Sequence, residues 1–309
     1  MKWSQRLIIV AAAMILPLSA IAAERVKTEV VDYHGWHGAY RMSNGTVELV
    51  VVPQIGRIMR YGAIGGPNVL WENPDLRGSV PDPDKPNAEW INYGGDKLWN
   101  APQEKWGWPP DPVLDRGAYA ATRLPGGRLR LSGPDSAKSG LRFHREITLA
   151  ERGTGVTLRN TLTNTGKETV NWAIWEVAQI DDPAAVSLPR SRTGRFKPGY
   201  RLFPNYALLP GMLTIDGSVV TLRRDAKQDA KIGSDAPDGW IKGRLAGQEF
   251  TLSATQVPDK HYADDGCAQE IFVSGDPAKY AEMEMLGPLT DIRPGGSASF
   301  VTRWSLRRL

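Results

Sequence analysis

The feature that most constrains the fold of this chain is a succession of short segments in which apolar and polar residues alternate. From Thr46 onward these segments follow one another, and most are bounded by Gly, Pro, Asn or Asp. Alternation with period two is typical of strands with one buried face, and the bounding residues are typical of turns. No window keeps an apolar stripe at helical spacing for three turns. The pattern predicts an all-β protein with at least a dozen strands, which normally fold into stacked antiparallel sheets or a barrel.

Two long segments, residues 74–117 and 188–211, interrupt this succession of strands. Loops of such length without secondary structure of their own are usually functional or disordered, and abundant tryptophan and tyrosine argue against disorder. Within the first segment, GGDKLWNAPQEKWGWPPDP at residues 94–112 contains four prolines and three tryptophans. We expect it to be an extended crossing loop, not a helix or an inner strand, and to form a wall of a cleft.

The N-terminus has the features of a secretory signal peptide. Lys2 and Arg6 precede an apolar run over residues 7–18, and small residues follow it. The run is shorter than the roughly 20 residues that a spanning helix needs, and Pro17 interrupts it, which argues against a retained anchor. We therefore expect residues 1–22 to be a signal peptide and residues 23–309 to form a single domain. The predicted localisation is periplasmic or secreted, without stable membrane insertion after cleavage.

Charge and cysteine content exclude several classes of protein. The formal net charge is +4, and removal of Lys2 and Arg6 with the leader lowers it to +2. With no dense basic stripe along the chain, nucleic acid is not an expected partner. Cys267 is the only cysteine, so we expect no internal disulfide and a buried thiol rather than a nucleophile. The sequence contains no phosphate-binding or dinucleotide-binding loop and no metal-ligand spacing of histidines, so no cofactor or metal is expected.

Tryptophan is concentrated in one part of the chain. Five of the 11 tryptophans lie within 38 residues: Trp71, Trp90, Trp99, Trp106 and Trp108. Indole faces are suited to stacking on the apolar faces of sugar rings, while sugar hydroxyls require polar neighbours. Such neighbours in the same segment are Asp96, Lys97, Asn100, Gln103 and Glu104. The alternative is that the tryptophans pack as a plug over one end of a sheet, and both interpretations hold if only some of the rings face a cleft.

A second group of candidate residues lies in KYAEMEMLGP, residues 279–288. Alternation along a strand places Tyr280, Glu282 and Glu284 on one face and the two methionines between them on the other, which we expect to be core. Carboxylates two residues apart on a strand are roughly 7 Å from each other. They could repel, share a proton, or bind a cation or sugar hydroxyls. The alternative is a purely solvated face.

Two further segments supply polar candidates. In TVNWAIWEVAQ, Trp175 shares a strand face with Asn171 and Gln179, and this face is the better candidate for lining a cleft. In DKHYADDGCAQEIF, Glu270 shares a face with apolar residues and could face an interior or a cleft. His261 could act as a general acid or base at neutral pH, although a lone histidine in a loop is more often a surface residue.

In their order and spacing these segments resemble the galactose mutarotase-like (aldose 1-epimerase-like) superfamily, and within it a bacterial family of unknown function. The matching segments are VELVVVPQIGRIMRYG, GGDKLWNAPQEKWGWPPDP, GLRFHREITLAERGTGVTLRNTLTNTG, VNWAIWEVAQ, YADDGCAQEIF and YAEMEMLGPLTDIRPGGSASFVTRWSL. The resemblance covers about Thr46 to Leu306. It implies a β-supersandwich of two large, curved antiparallel sheets with a sugar site on the concave face.

The resemblance also implies roles for individual residues. Sugar mutarotases use a glutamate base on the penultimate strand, which matches Glu284, or failing that Glu282, and a histidine acid. Trp175 stands where that histidine is expected, so Lys97, His261 or another group would have to donate the proton. The residues expected to act on a sugar are Glu284, Glu282 and His261, and those expected to bind it are Lys97, Trp99, Gln103, Trp106, Trp108 and Trp175.

Two functions remain open at this point. One is an exported carbohydrate-active enzyme, such as a sugar epimerase, with a glutamate base. The other is a sugar-binding or envelope-associated protein without catalysis, which has lost the acid. Both have a saccharide as the ligand.

Overall fold

Almost all of the regular structure in this chain is antiparallel β-strand. The computed structural model describes residues 25–81 and 89–309, so the predicted signal peptide, residues 1–22, lies outside the described residues. The strands are β1 (Lys27–Tyr33), β2 (Trp36–Ser43), β3 (Val47–Val52), β4 (Arg57–Ala63), β5 (Asp96–Ala101), β6 (Ala120–Leu124), β7 (Arg128–Ser132), β8 (Leu141–Leu149), β9 (Val156–Asn164), β10 (Val170–Asp181), β11 (Ala185–Pro189), β12 (Arg201–Leu202), β13 (Leu213–Asp216), β14 (Val219–Leu222), β15 (Ala230–Ser234), β16 (Trp240–Leu245), β17 (Gln248–Ala254), β18 (Gln269–Val273), β19 (Tyr280–Leu286), β20 (Thr290–Ile292) and β21 (Ser297–Arg308). A short helix, α1, spans Pro112–Arg116.

The strands form two large sheets. The larger sheet has 11 strands in the order β1-β2-β3-β4-β5-β10-β19-β18-β15-β12, with β20 paired to β10. The smaller sheet has 10 strands in the order β13-β14-β11-β16-β17-β21-β9-β8-β7-β6. The prediction of an all-β protein built from stacked antiparallel sheets is therefore confirmed. None of the helices within the described ranges is long and apolar enough to cross a membrane.

The main hydrophobic core lies between the two sheets. Strand β8 shows how alternation builds it, because every second residue from Leu141 to Leu149 is buried and the residues between are partly exposed. Strand β19 contributes Met283 and Met285 to the same core. The expectation that its methionine face is core is confirmed, and Tyr280, Glu282 and Glu284 consequently project from the opposite face. We call this opposite face of the larger sheet its outer face.

The expectation that residues 94–112 cannot contain an inner strand is wrong. Strand β5 lies in the middle of the larger sheet and pairs along its whole length with β10. The prolines of this segment all follow the strand, and Gly94 and Gly95 precede it with positive φ. A side chain on Gly94 would begin 2.2 Å from the Trp71 carbonyl oxygen, so only glycine allows this approach. The larger sheet also begins earlier than Thr46, with β1 and β2.

One carboxylate in the core joins three strands of the two sheets. Glu176 on β10 points between the sheets and is fully buried. Its Oε1 accepts a hydrogen bond from Trp304 Nε1 at 2.9 Å, and its Oε2 accepts hydrogen bonds from Asn160 Nδ2 at 2.8 Å and from Thr302 Oγ1. Both oxygens therefore have donors, which compensates for part of the cost of burying the carboxylate.

Candidate functional site

Strand register assembles a polar row across the outer face. Lys231 on β15 pairs with Phe272 on β18, Phe272 pairs with Glu282 on β19, and Glu282 pairs with Gln179 on β10. Neighbouring strands are about 4.8 Å apart, so these side chains stand side by side. Strands β10, β15, β18 and β19 thus supply one continuous surface.

Glu282 is the centre of the first polar group in this row. Its Oε1 lies 3.2 Å from Lys97 Nζ and 2.9 Å from Gln179 Nε2. Burial lowers the pKa of Lys97, and the Glu282 carboxylate opposes that shift. Lys97 also lies over the Trp99 ring, with its Nζ 4.6 Å from the ring centroid. A buried lysine with a lowered pKa gives up its proton more readily than an exposed one.

Lys231 is the centre of the second polar group. Its Nζ lies 2.8 Å from Glu270 Oε2 and 2.8 Å from Glu284 Oε2. Burial opposes the charge on Lys231, but the two carboxylates outweigh burial and raise its pKa. Burial also raises the pKa of Glu270 and of Glu284, and the Lys231 ammonium that they share opposes this shift without cancelling it. Asp264, whose charge acts on Glu270, adds a third acid with a pKa raised by burial.

Aromatic rings surround this polar row and enclose a cavity of about 340 Å³. Its aromatic lining consists of Trp90, Trp99, Trp108, Trp175, Tyr206, Phe272 and Tyr280. On one side the centroid of Trp99 lies 5.2 Å from that of Trp175 and 6.3 Å from that of Trp108. On the other side Phe272 lies 6.0 Å from Tyr280. We call this space the aromatic cavity.

The segment after β5 fixes the orientation of Trp99. Asp111 caps α1 by accepting a hydrogen bond from the Val113 N–H, and α1 carries Asp115. Asp115 Oδ1 accepts a hydrogen bond from Trp99 Nε1 at 2.7 Å and pairs with Arg57 Nη2 at 3.0 Å. The prolines and aspartates of this segment therefore hold the indole in place, which the sequence alone did not reveal.

Some polar atoms around the cavity have no partner. Trp175 lines the cavity, yet its indole N–H is buried without an acceptor among the described residues. Glu284 Oε1 is likewise without a donor in the described part of the chain. Buried polar atoms normally have partners, so unpaired atoms next to a cavity suggest a ligand that supplies them.

The structure brings most of the predicted site residues together. Trp99, Gln103, Trp108, Trp175 and Glu282 line the aromatic cavity, and Lys97 contacts Glu282 behind its surface. Glu282 is 8% exposed, whereas Glu284 is 0% exposed and is not part of the lining.

Besides Lys97 and Glu284, two further predicted site residues lie outside the lining, namely Trp106 and His261. Trp106 packs against Trp99 with a centroid distance of 6.1 Å and donates its indole N–H to the Asn100 carbonyl. It is not part of the lining. His261 lines a different cavity, which contains no residue of the first.

Sequence reasoning did not single out Lys231 or Tyr206. Lys231 is the one charged residue in the strand sequence AKIGS, whose other residues are small or apolar, and this contrast was the available signal. Tyr206 lies in the second long segment, residues 188–211, where no sequence pattern marks it as a site residue. Cys267 is buried, as expected, and burial raises the pKa of its thiol.

Comparison with known proteins identifies a family and a fold. The sequence model of a family described as "Domain of unknown function (DUF4380)" matches residues 39–307. A solved galactose mutarotase-like protein from Lactobacillus casei ATCC 334 is similar over 87% of this chain and 100% of its own, with a TM-score of 0.60 and 8% identity. A putative aldose 1-epimerase from Escherichia coli K12 is similar over 88% of this chain and 99% of its own, with a TM-score of 0.55 and 16% identity.

A third solved structure is longer. It is a TPR-domain containing protein from Parabacteroides distasonis ATCC 8503, similar over 87% of this chain with a TM-score of 0.57 and 15% identity. The present chain spans 46% of that protein's length. No curated protein matches the sequence. Likeness at such low identity establishes the fold alone, and the predicted galactose mutarotase-like β-supersandwich is confirmed.

Proposed function

Because the chain belongs to the DUF4380 family and has a galactose mutarotase-like fold, we propose that it binds a saccharide in the aromatic cavity. The observation that carries this proposal is the cavity itself, where four tryptophans stand over a row of charged and amide side chains. Its volume of about 340 Å³ lies in the range typical of small-molecule sites.

The arrangement fits the two chemically different surfaces of a sugar. The apolar C–H faces of a pyranose pack on indole rings, while its hydroxyls donate and accept hydrogen bonds. Glu282 is an acceptor at the floor, Gln103 supplies an amide, and the Trp175 N–H is a free donor. A purely apolar ligand would leave these polar groups unpaired, which costs about 1–3 kcal/mol for each.

Tryptophan fluorescence tests the proposal. Titration with neutral and acidic mono- and oligosaccharides is expected to quench the emission of the wild-type protein. Trp175→Phe keeps an aromatic ring in the wall but removes a reporter from the cavity, so the quench should shrink. Trp240→Phe is the matched control, because Trp240 lies on β16 in the other sheet. The absence of a response to every saccharide would contradict the proposal.

A second candidate function is catalysis of sugar ring opening at the same site. The observation that favours it is the contact of Glu282 with Lys97, a carboxylate beside an ammonium whose pKa burial lowers. Glu282, rather than Glu284, is the base in this proposal, because Glu282 lines the cavity and Glu284 is paired with Lys231 behind it.

The proton transfers of this reaction balance. Glu282 takes the proton of the anomeric hydroxyl, the C1–O5 bond breaks as C1=O1 forms, and the electron pair on O5 takes a proton that Lys97, behind the lining, passes through a bridging water. Reclosure on the other face of C1 returns both protons. An acid and a base placed in this way typically contribute 10²–10⁴-fold each, an order-of-magnitude expectation.

Polarimetry of freshly dissolved aldoses separates catalysis from binding. If the protein is a mutarotase, the wild type accelerates the change in optical rotation, Glu282→Gln loses at least about 100-fold of that rate, and Glu284→Gln loses less. A wild-type protein that binds a sugar without accelerating its mutarotation would restrict the function to binding.

We also propose that the chain is exported and that residues 23–309 unfold as one domain. The proposal rests on the leader pattern of residues 1–22 and on the two sheets sharing one core. Sequencing the N-terminus of protein from periplasmic and culture-medium fractions should give a start at residue 23 or 24. A mature protein that retains its leader would contradict export, and two separate unfolding transitions would contradict a single domain.

A further inference from the structure

A second cavity of about 390 Å³ lies between the long segment 188–211 and the loop after β17, which contains His261. It is lined by Arg195, from the long segment 188–211, and by Lys260 and His261, from the loop after β17. Asp235 and Asp265 also line it. We call this space the basic cavity.

Each acid of the basic cavity has a partner on one oxygen, while Asp235 Oδ1 is buried without a donor among the described residues. Asp235 Oδ2 accepts a hydrogen bond from the backbone N–H of Arg195 at 2.7 Å. Gly194 packs so closely on this carboxylate that an added Cβ would lie 2.2 Å from Asp235 Oδ1. Asp265 forms an ion pair with Arg201 at 2.7 Å. Both acids thus hold the arginine-rich segment in place.

The bases of the basic cavity have no such partners. Within residues 25–81 and 89–309, no ion pair joins Arg195, Lys260 or His261 to a carboxylate. Among the described residues, the Arg195 guanidinium has one hydrogen bond, to the backbone carbonyl of Asp265 at 3.3 Å. Counted with Arg201, the partner of Asp265, the cationic side chains at the cavity are Arg195, Lys260 and Arg201, and the carboxylates are Asp235 and Asp265. Three cations against two carboxylates leave an excess of one positive charge before His261 is counted.

The aromatic cavity differs in its charged lining. Among the described lining residues the charged ones are Lys231 and Glu282, and the Lys231 ammonium is already paired with Glu270 and Glu284. An anionic group would therefore meet the Glu282 carboxylate and no free cation in the aromatic cavity, but cations without an ion-pair partner in the basic cavity.

One loop separates the two cavities. Ala263 belongs to the same buried cluster as Trp99 and Trp175, which line the aromatic cavity. His261 and Asp265, each two residues away, line the basic cavity. The two cavities are therefore neighbours along this loop.

We propose that the basic cavity binds an oxyanion, namely a carboxylate, phosphate or sulfate, carried by a saccharide whose uncharged ring occupies the aromatic cavity. The ligand class is then an acidic saccharide of at least two units. The link to a saccharide rests on the proposed function, whereas the anion site does not, and the two are tested separately.

Inorganic phosphate tests the anion site. Replacing chloride with phosphate at matched ionic strength is expected to raise the thermal midpoint of the wild-type protein. The double variant Arg195→Gln/Lys260→Gln should lose this rise. Lys138→Gln/Lys167→Gln removes the same charge from residues that line neither cavity and should keep it. An equal rise in all three proteins, or no rise in the wild type, would overturn the anion site.

A matched pair of disaccharides tests the link to the saccharide. Cellobiose and cellobiouronic acid differ only by the carboxylate at C6 of one ring, and cellobiose 6′-phosphate distinguishes a phosphate from a carboxylate. We expect at least one acidic form to bind the wild type about tenfold more tightly than cellobiose at low salt, which corresponds to about 1.4 kcal/mol. The preference should fall with added salt and disappear in Arg195→Gln/Lys260→Gln.

The outcomes separate this inference from the proposed function. Equal affinity for neutral and acidic forms would overturn the acidic saccharide as ligand while leaving saccharide binding intact. A phosphate effect that Arg195→Gln/Lys260→Gln abolishes, together with no response to any saccharide, would leave the anion site standing and contradict the proposed function.

Discussion

Glu176 and Glu284 are buried carboxylates on adjacent strands, but they face opposite sides of the larger sheet and have different partners. Glu176 faces the core, where three neutral donors from β9 and β21 satisfy both of its oxygens. Glu284 faces outward, shares the ammonium of Lys231 with Glu270, and has an oxygen without a donor in the described chain.

This difference distinguishes a carboxylate that only stabilises the core from one that belongs to the charged groups directly behind the aromatic cavity. The donors around Glu176 fix its position and leave it nothing further to bind. Around Glu284 the charges do not balance, and the neighbouring Glu282 lies at the surface of the aromatic cavity. Buried groups with unbalanced charge and free lone pairs are costly to the fold and concentrate at functional sites.

The largest expected effect concerns the core. Glu176→Leu leaves the donors of Asn160, Thr302 and Trp304 buried without an acceptor, so the free energy of unfolding should fall by about 3–5 kcal/mol. Urea denaturation measures this fall in the free energy of unfolding. Glu168→Leu, at an exposed position, is the control and should change stability by less than about 0.5 kcal/mol. A loss below about 1 kcal/mol for Glu176→Leu would remove the contrast between the two carboxylates.

The next effect concerns the outer face. Glu282→Gln keeps the shape of the side chain but removes its charge, and we expect saccharide affinity to fall at least about tenfold, or about 1.4 kcal/mol. Stability should change by less, because the amide can still accept from Gln179 and Lys97, and burial already lowers the pKa of Lys97, so that it can lose its charge when the carboxylate is gone. Calorimetric titration measures the saccharide affinity, and urea denaturation of the same samples measures the free energy of unfolding. A variant that loses stability but keeps affinity would make Glu282 a structural residue like Glu176.

Trp108 and Trp106 extend the same comparison to the tryptophans. Trp108 lines the cavity and is 55% exposed, so Trp108→Ala should weaken saccharide binding about 3- to 10-fold and leave the free energy of unfolding almost unchanged. Trp106 is outside the lining and bonded to Asn100, so Trp106→Ala should lower stability more than affinity. The reverse result would mean that Trp106 is the ligand-binding ring.

The smallest expected effect is on the pH dependence of stability. The pKa of Glu270 is raised in the folded protein from its ordinary value of 4.5, so the folded state binds more protons than the unfolded state above that pH. The free energy of unfolding should therefore fall as the pH rises from about 4.5 through the raised pKa.

Glu270→Gln should make this decline shallower, while Glu284 remains beside Lys231. Lys231 stays protonated throughout this range, because its pKa is raised. Urea denaturation at a series of pH values measures the slope, with Glu168→Gln as the control. An unchanged slope in Glu270→Gln would show that Glu270 binds no excess proton in the folded state.

Much of the fold could be predicted from the sequence, because alternation is a local signal. It gave the class, the buried methionine face of β19, and the shared face of Trp175 and Gln179. It failed at β5, where six strand residues sit among prolines, glycines and tryptophans that look like a loop. Pairing with β10 decides that conformation, and such pairing is not local.

The site was less predictable for the same reason. The sequence places Glu282 and Glu284 on one face, but their different environments depend on Lys231 and Phe272, which come from β15 and β18. His261 was selected for its chemistry alone, and its position in the basic cavity depends on a loop whose path no periodicity encodes.

A crystal structure of the protein soaked with a saccharide that quenches its fluorescence tests the central claim most directly. The account predicts a sugar ring between Trp108 or Trp175 and Tyr280, with a hydroxyl on Glu282 Oε1 or Oε2. With an acidic disaccharide, the anionic group should lie near Arg195. A sugar bound elsewhere on the surface, with the aromatic cavity empty, would contradict the account.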